Sequence, residues 1–236
     1  EALGETTATI VGHDWGSPIA AAAARLRPDV FTAMALLSVP YDARNSHRPS
    51  ETFASFSETE EFYITYFQEP GRAEAEITKN PRRWLEGFYF SASGDCPPPE
   101  PGQTSMGFVA SGGLLSDRFS YPTGSLGWMT EDDLDFYVGE FDRAGFTGGL
   151  NRYRCIDHDW VDLRPWHHAP IVQPSLFIGG EKDGPTLWGA GAISRFSETL
   201  PGIRGTHILE GAGHWLQQEA ADQVNDLLLE FIEGLS

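Results

Sequence analysis

The sharpest chemical signal in the chain is Gly12-His13-Asp14-Trp15-Gly16, set between a β-branched apolar run at residues 6–12 and an Ala-rich stretch at 18–28. Its small-x-nucleophile-x-small spacing suits a tight strand-to-helix turn that lifts one side chain above a sheet, with glycine on either side so that the turn can close. The lifted residue is Asp14. At a helix N-terminus the backbone dipole and the N–H groups favour a carboxylate over its acid. A carboxylate attacking an acyl carbon would form a reactive anhydride, whereas attack on an sp3 carbon forms an alkyl ester that a second step can hydrolyse. The side chain therefore disfavours esterase or peptidase chemistry and favours opening of a strained ring or displacement of a halide.

Hydrolysing such an ester needs an activated water. His214, in Gly211-Ala212-Gly213-His214-Trp215, is the natural general base, and Asp183, in Gly180-Glu181-Lys182-Asp183, is placed to orient it. Taken singly, a GxDxG reads as a turn, Asp183 as a turn former and His214 as a polar loop residue. Together they stand in the order nucleophile, acid, histidine, each just past an apolar run that reads as a strand. Asp42 is a weaker candidate for the relay acid. His13 reads as a packing residue beside the turn. Neither the pair His167-His168 nor the cluster Asp157-His158-Asp159 has a third converging ligand, so no metal or cofactor is expected.

The elements that must hold these residues form a coarse α/β pattern. Apolar runs at 31–40, 174–180 and 205–211 read as further buried strands, and the region between the last two as helical. The terminal stretch places Val224, Leu227, Leu228, Phe231 and Leu235 on one helical face. Strands alternating with helices imply a parallel sheet covered on both faces. From about Tyr41 to Pro170 the chain is aromatic and acidic, with helical patches at 61–70, 73–90 and 130–145, no convincing strand alternation and a Gly, Pro and Ser-rich loop at 91–125. The division expected is core at 1–40, helical cap at 41–170 and core again at 171–236.

Composition limits the partners. Lys and Arg number 16 against 34 Asp and Glu, a formal net charge of −18 over 236 residues. That excess repels phosphate backbones and anionic lipid, which disfavours nucleic-acid and polybasic membrane binding. No run approaches the roughly 18 apolar residues of a membrane span, and the first ten residues lack the pattern of a signal peptide. Two cysteines, Cys96 and Cys155, fit neither a disulfide framework nor a metal motif, so reduced thiols in a cytoplasmic protein are expected.

The segments VGHDWGSPIA, YFQEPGRAEAEI, WMTEDDLDFYVGEFDRAGFTGGLNRYR, LFIGGEKD and GTHILEGAGHWLQQE, in that order, resemble the epoxide hydrolases of the α/β-hydrolase superfamily, the bacterial members most closely. The resemblance implies a catalytic parallel sheet interrupted by a cap, with Asp14 as nucleophile, Asp183 as relay acid and His214 as base. It also implies two cap tyrosines that hydrogen-bond the epoxide oxygen, matching Tyr63 and Tyr153. A phenol with a pKa near 10 can both hydrogen-bond and protonate the alkoxide that develops. For Tyr66, in the same aromatic stripe, packing is expected instead. Arg152 stands where many relatives carry an aromatic residue, leaving pocket size and substrate preference open.

The family pattern places several strands and an HGxP loop ahead of the nucleophile strand. The loop supplies one donor of the oxyanion hole, and the N–H of Trp15 would supply the other. No HGxP occurs here and no strand precedes residue 6. The expectation is a fragment holding about four strands of the sheet, with its first strand an exposed edge open to pairing, including into a homodimer. Ester hydrolysis is then expected to slow by about 100- to 1000-fold, or the fragment to be inactive. The function expected is addition of water to a small apolar epoxide, giving a vicinal diol. Haloalkane dehalogenation is the first alternative, since Trp15 stands where that sister family holds halide. A non-catalytic domain binding an apolar ligand or a partner is the second.

Overall fold

The structure is a computed structural model describing residues 2, 4–44, 46–99, 105–167 and 169–235. Its strands, in chain order, are β1 (Ala8–His13), β2 (Phe31–Leu37), β3 (Glu60–Phe62), β4 (Phe108–Ala110), β5 (Ser175–Gly180) and β6 (Ile203–Leu209). The apolar runs noted above become β1, β2, β5 and β6, which pair as one parallel sheet in the order β1-β2-β5-β6. Strand alternation sends neighbouring residues to opposite faces. Met34 and Leu36 of β2 and Phe177 of β5 thus join Ala20, Ala21 and Ala24 of helix Gly16–Leu26 on one face. Ala33, Ala35, Leu37, Leu176 and Ile178 join Leu209, Leu216, Val224 and Phe231 on the other. In helix Ala221–Glu233 the expected stripe is the packing face, with Val224 and Phe231 buried and Leu227 and Leu228 packed beside them. β5 is buried along its whole length, so both sheet faces are covered there. The outer strand β1 leaves Val11 46% exposed.

The chain divides into two compact units, one of Glu1–Ala43, Ser93–Asp95 and His168–Ser236, the other of Arg44–Ala92 and Cys96–His167. The second unit is mainly helical, with helices Pro49–Ala54, Tyr63–Tyr66, Arg72–Ile77, Pro81–Ser91, Glu131–Ala144, Thr147–Arg154 and Ile156–Asp162. It also holds one antiparallel pair, β3 with β4. Each of those strands is three residues long, too short to show the alternation by which a strand is read from sequence. The helical patch expected over 61–70 is consequently a strand end and one helical turn, after which Pro70 and Gly71, at φ +87°, redirect the chain. The patch over 73–90 is two helices, divided where Asn80 caps the backbone N–H of Arg83 and Pro81 takes the first helical position. The described part of the 91–125 loop contains β4 and a 3-10 turn at Leu115–Arg118.

A buried carboxylate organises this unit. Glu76 accepts from the Tyr66 hydroxyl at 2.6 Å, the Trp84 indole at 3.0 Å and the backbone N–H groups of Leu115 and Ser116. Four donors satisfy a charge that burial would otherwise penalise heavily. Tyr66 is thereby a packing residue, as its place in the aromatic stripe implies. No helix among the described residues is long and apolar enough to cross a membrane.

Candidate active site

Asp14 follows directly on β1 and adopts φ +52°, a left-handed conformation rare for a residue with a side chain. Strain of this kind costs about 1–3 kcal/mol and persists only where the surroundings enforce it. A Cβ at Gly12 would lie 2.0 Å from the carbonyl oxygen of Gly16, so only glycine lets the entering strand pass the start of the helix. A Cβ at Gly16, by contrast, would meet no described atom within 4 Å beyond its own helix and chain neighbours, so the steric demand falls on the first glycine of the motif alone. The backbone N–H of Ser17 closes the turn on Asp14 O at 2.9 Å, and its hydroxyl donates to Val39 O.

Asp183 and His214 follow β5 and β6. Those strands are neighbours in register, Gly180 opposite Leu209, and the pairing extends into the loops, where Glu181 N donates to Leu209 O and Lys182 N to Ala212 O. A side chain at Gly180 would strike the carbonyls of Ala212 and Gly213 at 2.5 Å. This close approach puts Nδ1 of His214 2.9 Å from Asp183 Oδ1, where it donates its proton, and Nε2 3.5 Å from Asp14 Oδ2. Asp183 is wholly buried, its second oxygen accepting from the Thr186 hydroxyl at 2.7 Å, whereas the Asp14 side chain remains one-third exposed.

The electrostatics of the ring follow from these neighbours. Burial opposes a charge on His214, but the hydrogen bond to Asp183 and the negative charges of Asp14, Asp183 and Glu219 outweigh it, raising the pKa above the ordinary histidine value. His13 donates from Nε2 to the His214 carbonyl at 2.7 Å. Burial, joined by the neighbouring His214, holds its own pKa down.

Sequence reasoning missed several residues in this cluster. Ser38, at φ +70°, is buried with its hydroxyl 3.1 Å from His214 Nδ1, and its carbonyl lies 2.8 Å from the Thr186 hydroxyl oxygen. No motif marks it, because its position depends on β2 lying between β1 and β5. Glu219 lies five residues past His214 on one turn of helix. The weaker candidate Asp42 instead pairs with Arg195 at the surface.

Tyr63 and Tyr153 are brought together within the second unit. Their rings stand edge to face with centroids 5.9 Å apart, and both pack on buried Phe67, at 5.7 and 4.9 Å. Two side chains fix the spacing of the segments that carry them. Gln68 donates from Nε2 to the carbonyls of Ile64 and Tyr153, both at 2.9 Å. Arg154 donates from Nε to Phe67 O at 2.9 Å and grips both oxygens of Glu74 at 3.0 and 3.1 Å. Neighbouring Arg152 pairs with Asp159, and Asp157 accepts from the backbone and hydroxyl of Ser50. Both acids of the Asp157-His158-Asp159 cluster thus have structural partners. His168 lies outside the described residues.

The α/β hydrolase fold family matches residues 1–93. Epoxide hydrolase B of Mycobacterium tuberculosis is 37% identical over 264 residues, covering 100% of this chain and 74% of that protein. Epoxide hydrolase A of the same organism is 40% identical over 235 residues, covering 99% and 71%. Among solved structures, an epoxide hydrolase from an endophytic Streptomyces superposes with a TM-score of 0.94 at 59% identity, covering 99% of this chain and 70% of that one. Epoxide hydrolase A from Mycobacterium thermoresistibile gives 0.89 at 38% identity, covering 99% and 71%.

Proposed function

This chain belongs to the epoxide hydrolases of the α/β-hydrolase fold, and from that premise we propose how its own residues divide the work of turning a small apolar epoxide and water into a vicinal diol. Asp14 attacks the less hindered ring carbon. The C–O bond breaks, and the departing oxygen takes hydrogen bonds and then a proton from the pair Tyr63 and Tyr153, carried by the second unit, which serves as the cap. The product of this half-reaction is an alkyl ester on Asp14. His214, oriented by Asp183, then removes a proton from water as the water attacks the carbonyl carbon of that ester. The N–H of Trp15 stabilises the oxyanion, and its collapse expels an alkoxide that takes the proton held by His214 and leaves as the diol with an oxygen that began in Asp14, while the second proton of the water restores the tyrosine.

The observation that carries this reading is the line of groups Asp183 Oδ1, His214 and Asp14 Oδ2, at 2.9 and 3.5 Å. It puts one imidazole between a buried orienting acid and a partly exposed carboxylate. The charge on Asp14 is one of the causes that raise the pKa of His214. Esterification removes that charge, and with it one of the influences that favour the protonated ring, at the step that needs a free imidazole.

The test is a single turnover in heavy-oxygen water with enzyme in excess over epoxide. Label must enter Asp14, found by mass analysis of the peptide containing it, and reach the diol only on a second turnover. Label in the diol from the first turnover would mean direct attack of water on the ring and would remove Asp14 as nucleophile.

A further inference from the structure

His214 is bracketed by a carboxylate that its proposed chemistry does not use. Glu219 Oε1 accepts the backbone N–H of Trp215 at 2.9 Å, and Oε2 accepts that of Gly213 at 2.9 Å, the residues on either side of the base. Oε2 also accepts the N–H of Gly94 at 2.8 Å. Gly94 belongs to the Ser93–Asp95 stretch, which enters the first unit between two segments of the second. Its carbonyl takes the ammonium of Lys182, next to the relay acid, at 2.7 Å. A Cβ at Gly94 would stand 2.1 Å from Gly211 O and 2.9 Å from Glu219 Oε2, so the approach requires glycine. The loops of acid and base are thus joined through one short strap, by bonds that none of the catalytic side chains supplies.

We propose that Glu219, working with Gly94, is a positioning residue that fixes the backbone of His214 and thereby sets its reach toward the ester on Asp14. The proposal rests on the reading of His214 as the base of the hydrolytic half-reaction. It predicts an effect confined to that half, because Asp14 attacks the epoxide before the base is needed. The charged and titratable groups facing the imidazole are Asp14, Asp183, His13 and Glu219. Glu219 alone among them can be neutralised without touching the side-chain contacts of the ring.

Two variants of the full chain separate geometry from charge. Glu219→Gln keeps the shape, but its amide NH2 opposes backbone N–H donors that a carboxylate accepts. Gly94→Ala keeps the charge and forces the strap away from Gly211 and Gly213 in the loop of the base. In both, ester hydrolysis, resolved from ester formation by rapid quench, is expected to fall about 10- to 100-fold while ester formation is unchanged, since small misplacements of a reacting group cost on this scale. The titration midpoint of His214, followed by NMR of the imidazole in the free protein, is expected to move to lower pH in Glu219→Gln and to stay in place in Gly94→Ala. This second readout needs no turnover. A parent chain that forms no ester at all would defeat the epoxide reading while the midpoint still judged Glu219. The proposal is overturned if both steps fall together in proportion to lost native protein, or if hydrolysis and midpoint both match the parent in Glu219→Gln.

Discussion

The loops carrying Asp183 and His214 and the segments carrying Tyr63 and Tyr153 are held by opposite means. In the first unit the restraints are backbone hydrogen bonds and carboxylates, with Gly12, Gly94 and Gly180 admitting approaches that a methyl group would block. In the second the tyrosines lean on one another and on Phe67, and polar restraint comes from Gln68 and Arg154 acting on main-chain carbonyls. Under the proposed roles, the contrast follows from what each group must do. A base must hold one tautomer and aim one nitrogen, so its surroundings have to be directional and charged. A phenol donating to a developing alkoxide needs a dry setting and only an approximate direction, which aromatic packing can supply.

The largest test of that contrast removes the base. His214→Gln should leave ester formation intact and slow hydrolysis by about 100- to 10,000-fold, so that the chain gains the mass of one epoxide and stops. An unmodified chain that no longer consumes epoxide would show that the imidazole also serves the first half-reaction and would erase the division of labour. Next in size, Tyr63→Phe and Tyr153→Phe should each slow ester formation by about 10- to 100-fold, the worth of a hydrogen bond to a charged oxygen, without changing hydrolysis of a preformed ester. Halide release from a haloalkane should be indifferent to both changes, since a departing halide needs no proton.

A smaller effect is expected from Arg154→Lys. Lysine keeps a charge beside Glu74 but cannot span both its oxygens while also donating to Phe67 O. Ester formation should slow by a few-fold, to about tenfold, as the spacing of the tyrosines loosens. Equal slowing of both half-reactions would show that Arg154 serves general stability and not the tyrosines.

The smallest expected effect is on the pH dependence of stability, where the two units should slope in opposite directions. Burial pushes the Glu74 carboxyl up, but the Arg154 hydrogen bonds and backbone N–H groups outweigh it and hold the pKa below the usual range. Its stabilisation is therefore present above the unfolded value of about 4.3 and is lost as pH falls through the folded one. His214 is raised, so its contribution is complete below about 6.5 and is lost as pH rises through the folded value. Hydrogen exchange followed segment by segment should find the helix around Glu74 loosening toward acid and the His214 loop loosening toward base. Parallel slopes would mean that other groups dominate.

Much of this molecule was legible without coordinates, for reasons particular to certain residues. The chain from Gly12 to Gly16 announces itself because a strand, a strained turn and a helix are contiguous there, so one local pattern contains the whole device. The sheet was readable because β2 and β5 are buried on both faces and so are continuously apolar. The β3–β4 pair was hidden, since three-residue strands far apart in the chain leave no periodic trace. Ser38, Glu219 and Arg154 were hidden for a related reason. A serine, a glutamate and an arginine are ordinary surface residues until a fold surrounds them with partners.

The sequence by itself determined the kind of chemistry, because that depends on residue type: a carboxylate at an elbow makes an alkyl ester, and a histidine past a later strand can hydrolyse it. Only the tertiary structure decided how near each acid comes to that histidine and how the base and the tyrosines are held. On paper Asp183 was already the stronger candidate and Asp42 the weaker, but neither came with a distance to the histidine. The parallel register of β5 with β6 brings Asp183 to His214, while Asp42 is left at the surface with Arg195. Hydrogen-bond distances between residues far apart in the chain are set by packing and register, and local sequence does not encode them.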